Sequence, residues 1–341
     1  MTRYKLWSGL GAVLITLYPI SIHAQSKSWQ KNIDVGDAAL AQSRMEEAEK
    51  SYQKALKDAE KFNPSDPRLT RTLKKLASVY EALGKYPDAE ILYKRLVRIA
   101  ERLVEKAAGA ANSRRNERTL ESIEIGPGLV DLTILDYQGA RRQLTESLRS
   151  LAKSYTAQNK FSDAEQTYLR LISILKKALS EPGSDLDGTF ELREKKPNGN
   201  EETVVVRSAK EQELWEKKEE LAGAYDDLAT LHFTRGNTEA AEPLYQQSLL
   251  MRGDSPDSVD PKIAVTLGNM AILYANKGQY DKAETLFRRA LMIFEKSLGA
   301  EHPKVAGVLE NYGVLLNKTG RPAEAEQMFR RAEKIREKNK K

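Results

Sequence analysis

Small and aromatic residues recur along this chain at the spacing of paired amphipathic helices. The string Ala-Glu-x-x-aromatic occurs six times, as Ala48-Glu49…Tyr52, Ala89-Glu90…Tyr93, Ala164-Glu165…Tyr168, Ala241-Glu242…Tyr245, Ala283-Glu284…Phe287 and Ala325-Glu326…Phe329. Five residues before each alanine stands Ser43, Gly84, Asn159, Gly236, Gly278 or Gly320, residue types that accept the left-handed backbone of a helix end. The last three turns keep a constant step, since 278 − 236 and 320 − 278 are both 42. Upstream of the turns runs a second helical pattern. Leu76-Ala77-x-Val79-Tyr80, Leu151-Ala152-x-Ser154-Tyr155, Leu228-Ala229-x-Leu231-His232, Met270-Ala271-x-Leu273-Tyr274 and Tyr312-Gly313-x-Leu315-Leu316 occupy equivalent places. Each repeat therefore reads as helix, short turn, helix, with small residues where the two helices meet. A single such pair cannot cover its apolar face, so neighbouring pairs must stack.

The pattern resembles the tetratricopeptide repeat. Its 42-residue form is similar to the kinesin light-chain type, with Asp260-Pro261 and His302-Pro303 opening repeats and Leu291-x-Ile293-x-Glu295-Lys296-x-Leu298-Gly299 closing one. The resemblance implies an all-α fold, a right-handed superhelix (α-solenoid) whose inner groove holds peptides or protein segments. The array is expected over 25–338, with repeats near 33–60, 67–106, 141–180, 218–252, 261–297 and 303–338, then a short basic tail at 339–341. The first repeat departs from the pattern, with a degenerate first helix around Val35–Gln42. Pro67, Pro261 and Pro303 mark entries to first helices. Pro87 and Pro322 sit early in second helices, where a missing N–H costs little, and Pro243 lies deeper and predicts a bend.

Turn spacing exposes two insertions. From Gly84 to Asn159 there are 159 − 84 = 75 residues, and from Asn159 to Gly236 there are 236 − 159 = 77. The first insertion, near 107–140, carries Gly109–Asn116 and Ile123-Glu124-Ile125-Gly126-Pro127-Gly128 and reads as a helix extension and loop, with helix returning near Gln138. The second, near 181–217, has two β-prone runs, Thr189–Arg193 and Thr203–Arg207, around Pro197-Asn198-Gly199, which predicts a small β-hairpin. Either segment reads equally as a lid over the groove, a partner contact or a surface loop.

The first 25 residues follow another logic. Arg3 and Lys5 precede an apolar stretch from Leu6 to Ile22, and Ala24 stands before polar Gln25-Ser26-Lys27. That order is that of a secretory signal spanning residues 1–24, the alternative being an uncleaved membrane anchor. Cleavage predicts an exported chain, periplasmic or secreted, with no membrane span left. It also removes two of 55 basic residues and no acid, leaving 53 against 49. So small a surplus excludes a nucleic-acid footprint.

Composition narrows the chemistry further. With no cysteine, thiolate metal sites, disulfides and cysteine nucleophiles are absent. Of three histidines, His23 leaves with the signal, His232 takes the slot of Tyr80, Tyr155 and Tyr274, and His302 opens a helix. No nucleophile elbow, phosphate loop, zincin helix or dinucleotide fingerprint appears, so no catalytic residue, metal or cofactor is expected. The enzymatic alternative is a hydrolase using paired carboxylates in a cleft at the inserted hairpin.

The remaining site is the groove. Two residues before the small position of each first helix lies a column of Lys75, Ser150, Asp227, Asn269 and Asn311. The resemblance implies that side chains there hydrogen-bond a bound peptide, and an amide offers a donor and an acceptor together. Arg71, Lys74 and Lys75, with Arg149 and Lys153 one repeat on, form a basic stretch suited to an acidic segment or an ordinary solvated face. The expected role is a non-catalytic scaffold for a protein or peptide, grading from basic to neutral or acidic along the groove. The alternative is a self-assembling homo-oligomer or envelope-complex subunit that makes contact through its array ends.

Overall fold

The computed structural model describes residues 10–118, 132–181, 191–195, 201–205, 209–255 and 258–340, with side chains within 26–109, 137–181, 211–255 and 258–340. Twelve helices occur among the described residues and pair into six repeats: α1 (Leu10–Ala41) with α2 (Met45–Ala59), α3 (Pro67–Ala82) with α4 (Tyr86–Arg118), α5 (Leu132–Ala157) with α6 (Phe161–Ser180), α7 (Ala209–Thr234) with α8 (Thr238–Arg252), α9 (Pro261–Asn276) with α10 (Tyr280–Leu298), and α11 (Pro303–Lys318) with α12 (Pro322–Lys338). Contacts divide the chain into two bodies, Met1–Thr167 and Tyr168–Lys341. All six expected turn residues have positive φ, from 57° at Ser43 to 78° at Gly236. Three first helices, α3, α9 and α11, start at capped prolines. Asp66 and Asp260 accept from the backbone N–H of Arg68 and Lys262, and His302 Nδ1 accepts from that of Lys304 at 3.2 Å. Pro243 lies inside α8, which continues to Arg252.

Between the third and fourth repeats, β1 (Glu191–Lys195) pairs antiparallel with β2 (Glu201–Val205), Arg193 opposite Thr203. The Pro197-Asn198-Gly199 turn and the Ile123–Gly128 stretch lie outside the described residues. The insertions are less loop-like at their edges than expected. Helix α4 runs on to Arg118, α5 begins at Leu132 rather than near Gln138, and α7 begins ten residues before the repeat proper.

The first repeat requires a correction. Its first helix is not confined to Val35–Gln42, because α1 packs from Ser26 onward. Ser26 Oγ accepts from Arg68 at 3.1 Å, Ser28 donates to Asp58 at 2.7 Å, and the buried Trp29 indole donates to Thr72 at 2.9 Å. Gly36 fills the small slot, seven residues before Ser43, as Ala77 does before Gly84. A Cβ on Gly36 would stand 2.4 Å from Cε1 of the fully buried Tyr52 ring, and one on Gly313 would stand 2.8 Å from the Phe329 ring. Helices at these two positions approach too closely for any side chain.

Successive repeats are tied at one recurring place. The motif glutamate accepts from a basic residue at the turn of the next repeat: Lys85 to Glu49, Lys160 to Glu90 and Lys277 to Glu242, each at 2.6 Å, and Arg321 to Glu284 at 2.8 Å. Tyrosines join in the C-terminal body, Tyr274 donating to Glu242 and Tyr312 to Glu284, both at 2.8 Å. Burial works against the Glu90 charge, but hydrogen bonds from Lys160, Lys94 and Gln158 outweigh it and bring its pKa to about 2. Glu242 is lowered chiefly by Lys277 and Tyr274. Glu284 is lowered by Tyr312 and Arg321 against its burial.

Two outcomes follow. Gly36→Ala lowers thermal stability by about 1–3 kcal/mol through overpacking. Gly268→Ala in α9, where an added Cβ meets nothing within 4 Å, raises it by up to about 1 kcal/mol through helix propensity; differential scanning calorimetry compares them. Acid titration tests the glutamate ties. Their folded pKa values lie below the ordinary 4.5, so their stabilisation is complete above about pH 4.5 and is lost as pH falls toward 2. The urea midpoint should drop across that window, and Glu90→Gln should flatten the drop.

Candidate functional site

The open faces of the first helices differ between the two bodies. In the N-terminal body, Arg71, Lys74 and Lys75 lie on α3, and Arg149, Ser150 and Lys153 lie on α5. Most of their charge is already met. Lys75 Nζ is 2.7 Å from Asp37 and lies over the Tyr52 ring, Lys74 pairs with Glu146, and the Arg71 guanidinium lies 5.9 Å from the Trp29 ring centre. Partial burial works against the Asp37 charge, yet hydrogen bonds from Lys75 and Tyr52 hold its carboxyl below the usual range. Glu81 goes the other way, raised by burial despite hydrogen bonding to Tyr93 and the nearby Lys153 charge. This face is an ion-paired lattice, and an acidic partner must displace Asp37 or Glu146 to use its cations.

In the C-terminal body the predicted column falls on α7, α9 and α11. Asp227 and Asn269 are half-buried and Asn311 is exposed. Among the described residues neither asparagine side chain has a hydrogen-bond partner, and both amides occupy the same place on consecutive first helices. Around them α9 presents Val265 (39% exposed), Gly268 and Ile272, and α11 presents Gly307 and Val314 (49% exposed). Glycine in a helix interior costs about 1 kcal/mol relative to alanine. Neither Gly268 nor Gly307 has any atom within 4 Å of where a Cβ would stand, so packing inside the chain does not demand them. The stripe is bare, uncharged and rich in unused amide groups.

Other residues singled out in the sequence are structural. His232 is buried at 9% exposure among core residues, and His302 caps α11. No group of three or more histidine, aspartate or glutamate side chains is placed to hold a metal among the described residues. No described helix is long and apolar enough to cross a membrane. At the C-terminal end, α12 buries Ala325, Ala332 and Ile335 and turns Glu326, Arg330, Glu333, Lys334 and Arg336 to solvent.

Family comparison agrees with the geometry. Tetratricopeptide-repeat models match residues 31–102 and 262–338, 221–253, and 147–182. The crystal structure of BtubC (BKLC) from P. vanneervenii is similar in fold at a TM-score of 0.55 and 19% identity, covering 87% of this chain and 92% of that one. The apo form of RapI is similar at a TM-score of 0.51 and 12% identity, covering 92% and 98%. No curated protein sequence matches. Matched in all six repeats by the family's own patterns and in its helical pairing by solved members of the fold, this chain belongs to the tetratricopeptide-repeat family, whose members bind proteins and peptides.

Proposed function

We propose that this chain is an exported, non-catalytic scaffold that holds an extended protein or peptide segment along the first-helix face of its C-terminal body. The observation that carries the reading is the α9–α11 stripe. Asn269 and Asn311 stand free at equivalent positions beside Gly268 and Gly307, glycines that no internal contact requires. Free amides satisfy a backbone without demanding one side-chain sequence, and bare helix surface lets that backbone come close. A rigid face loses little freedom when a segment docks, so the contacts count almost fully toward affinity. Asp227 and Ser150 belong to the same column. In the N-terminal body, the cations Arg71, Lys74, Lys75, Arg149 and Lys153 serve as a separate, weaker and salt-sensitive face.

Export is supported by the charged, apolar and polar order of residues 1–25. The hydrogen bonds of Ser26, Ser28 and Trp29 to the second and third helices all lie beyond residue 24 and would survive cleavage there. Mass spectrometry of the protein from its host envelope should find Gln25 at the amino terminus; an intact Met1 there would sink the cleavage.

The groove is tested by photo-crosslinking from position 311 in the native host, then by titration of the captured partner. Asn269→Ala should weaken binding about tenfold, near 1.4 kcal/mol. Gly307→Trp should abolish binding while thermal stability holds within about 1 kcal/mol, because the added ring points into open space. Unchanged affinity in both variants would move the site off this face.

A further inference from the structure

The sixfold repetition of small and aromatic slots is interrupted in the fourth repeat by a buried charge. Seven residues after the motif aromatic, four repeats bury Ala59, Ala100, Leu175 and Phe294 and the last exposes Arg336, but the fourth buries Arg252. Its side chain is 4% exposed and saturated. The guanidinium donates to Glu219 at 3.2 Å, to Asp226 at 2.7 Å, to Ser248 at 2.5 Å and to Thr266 at 3.0 Å. Glu219 also pairs with Lys262 at 3.0 Å. Burial pushes the Asp226 carboxyl up, against the attraction of Arg252 beside it. A buried ion network adds little net stability over an apolar core of the same shape. What it does supply is a fixed junction among α7, α8 and α9.

Directly above that junction is a cavity of about 340 Å³. One wall is the amino-terminal extension of α7, with Glu211, Leu214, Trp215 and Lys218; the other is the end of α8, from Leu250 to Gly253. Leu214, Trp215 and Leu250 remain 42%, 38% and 66% exposed. The Lys262 ammonium lies 5.7 Å from the Trp215 ring centre, and Lys218 makes no ion pair among the described residues. Trp215 lies twelve residues before Asp227 on α7, about 18 Å along the helix, so this cavity is separate from the column of free amides.

We propose that the cavity is a second docking site, taking a peptide segment in which an aliphatic or aromatic side chain is followed directly by a carboxylate. The apolar side chain would enter between Trp215 and Leu250, removing their exposed surface from water. The adjacent carboxylate would meet Lys218, which pairs with no acid among the described residues, with Lys262 alongside. A volume of this size accepts one large side chain. The high exposure of Leu250 favours a chain that continues across the rim over an isolated small molecule, which would leave that rim wet.

The test labels the full protein with 5-fluorotryptophan and follows its fluorine resonances, assigning that of Trp215 with Trp215→Phe. The buried Trp29 serves as an internal reference. Capped hexapeptides with a central Leu-Glu or Phe-Glu should shift the Trp215 resonance saturably and leave Trp29 unmoved, while Leu-Lys and Ser-Glu peptides should bind at least tenfold more weakly. Leu250→Asp, at a solvent-exposed position that folding does not need, should weaken Leu-Glu binding tenfold or more. Lys218→Glu should reverse the preference toward Leu-Lys. No saturable shift at millimolar peptide, equal response to all four peptides, or an unaltered preference in Lys218→Glu would overturn the assignment.

Discussion

An aromatic ring from each second helix lying against a small residue on its partner is the contact on which everything else depends. Where the slot is glycine, at Gly36 and Gly313, the ring comes so near that a single methyl group has no room. The slot sets the distance between paired helices, and with it the direction in which the rest of each first helix faces. Stacking then follows from simple area. A lone pair would leave part of its apolar face in water, and a neighbouring repeat covers it, as Tyr312 stacks on Phe287.

Much of this was legible in the residues. Six copies of Ala-Glu-x-x-aromatic and six tolerant turn residues identify helix pairs without any structural knowledge, and each turn adopts the positive φ its residue type allows. The first repeat was harder because its small residue is a glycine, with Val35 and Ala39 standing where the second repeat has Leu76 and Tyr80. Counting seven residues back from Ser43 would have found it. Long-range partners were not legible at all. That Lys85 reaches Glu49, or that Trp29 donates to Thr72 43 positions later, depends on how repeats stack, which local spacing does not encode.

The same limit explains the basic stretch. Arg71, Lys74 and Lys75 look like a receptor for acid when read along one helix. Their partners Asp37 and Glu146 come from the preceding and following first helices, and pairing removes most of the field the stretch would have projected. Asn269 and Asn311 kept the character that the sequence suggested, because uncharged amides recruit no such neighbours. Charge in a repeat array is often spent between repeats, and the positions left over for a ligand tend to be neutral.

The glutamate ties have a bearing on how such a chain lengthens or shortens through evolution. At four junctions one repeat brings the acceptor in its second helix and the next brings the donor at its turn, as Glu242 with Lys277 and Glu284 with Arg321 illustrate. A gene segment copied or excised between two of these four boundaries would therefore recreate a complete junction, with no orphaned charge to be repaired by later substitutions.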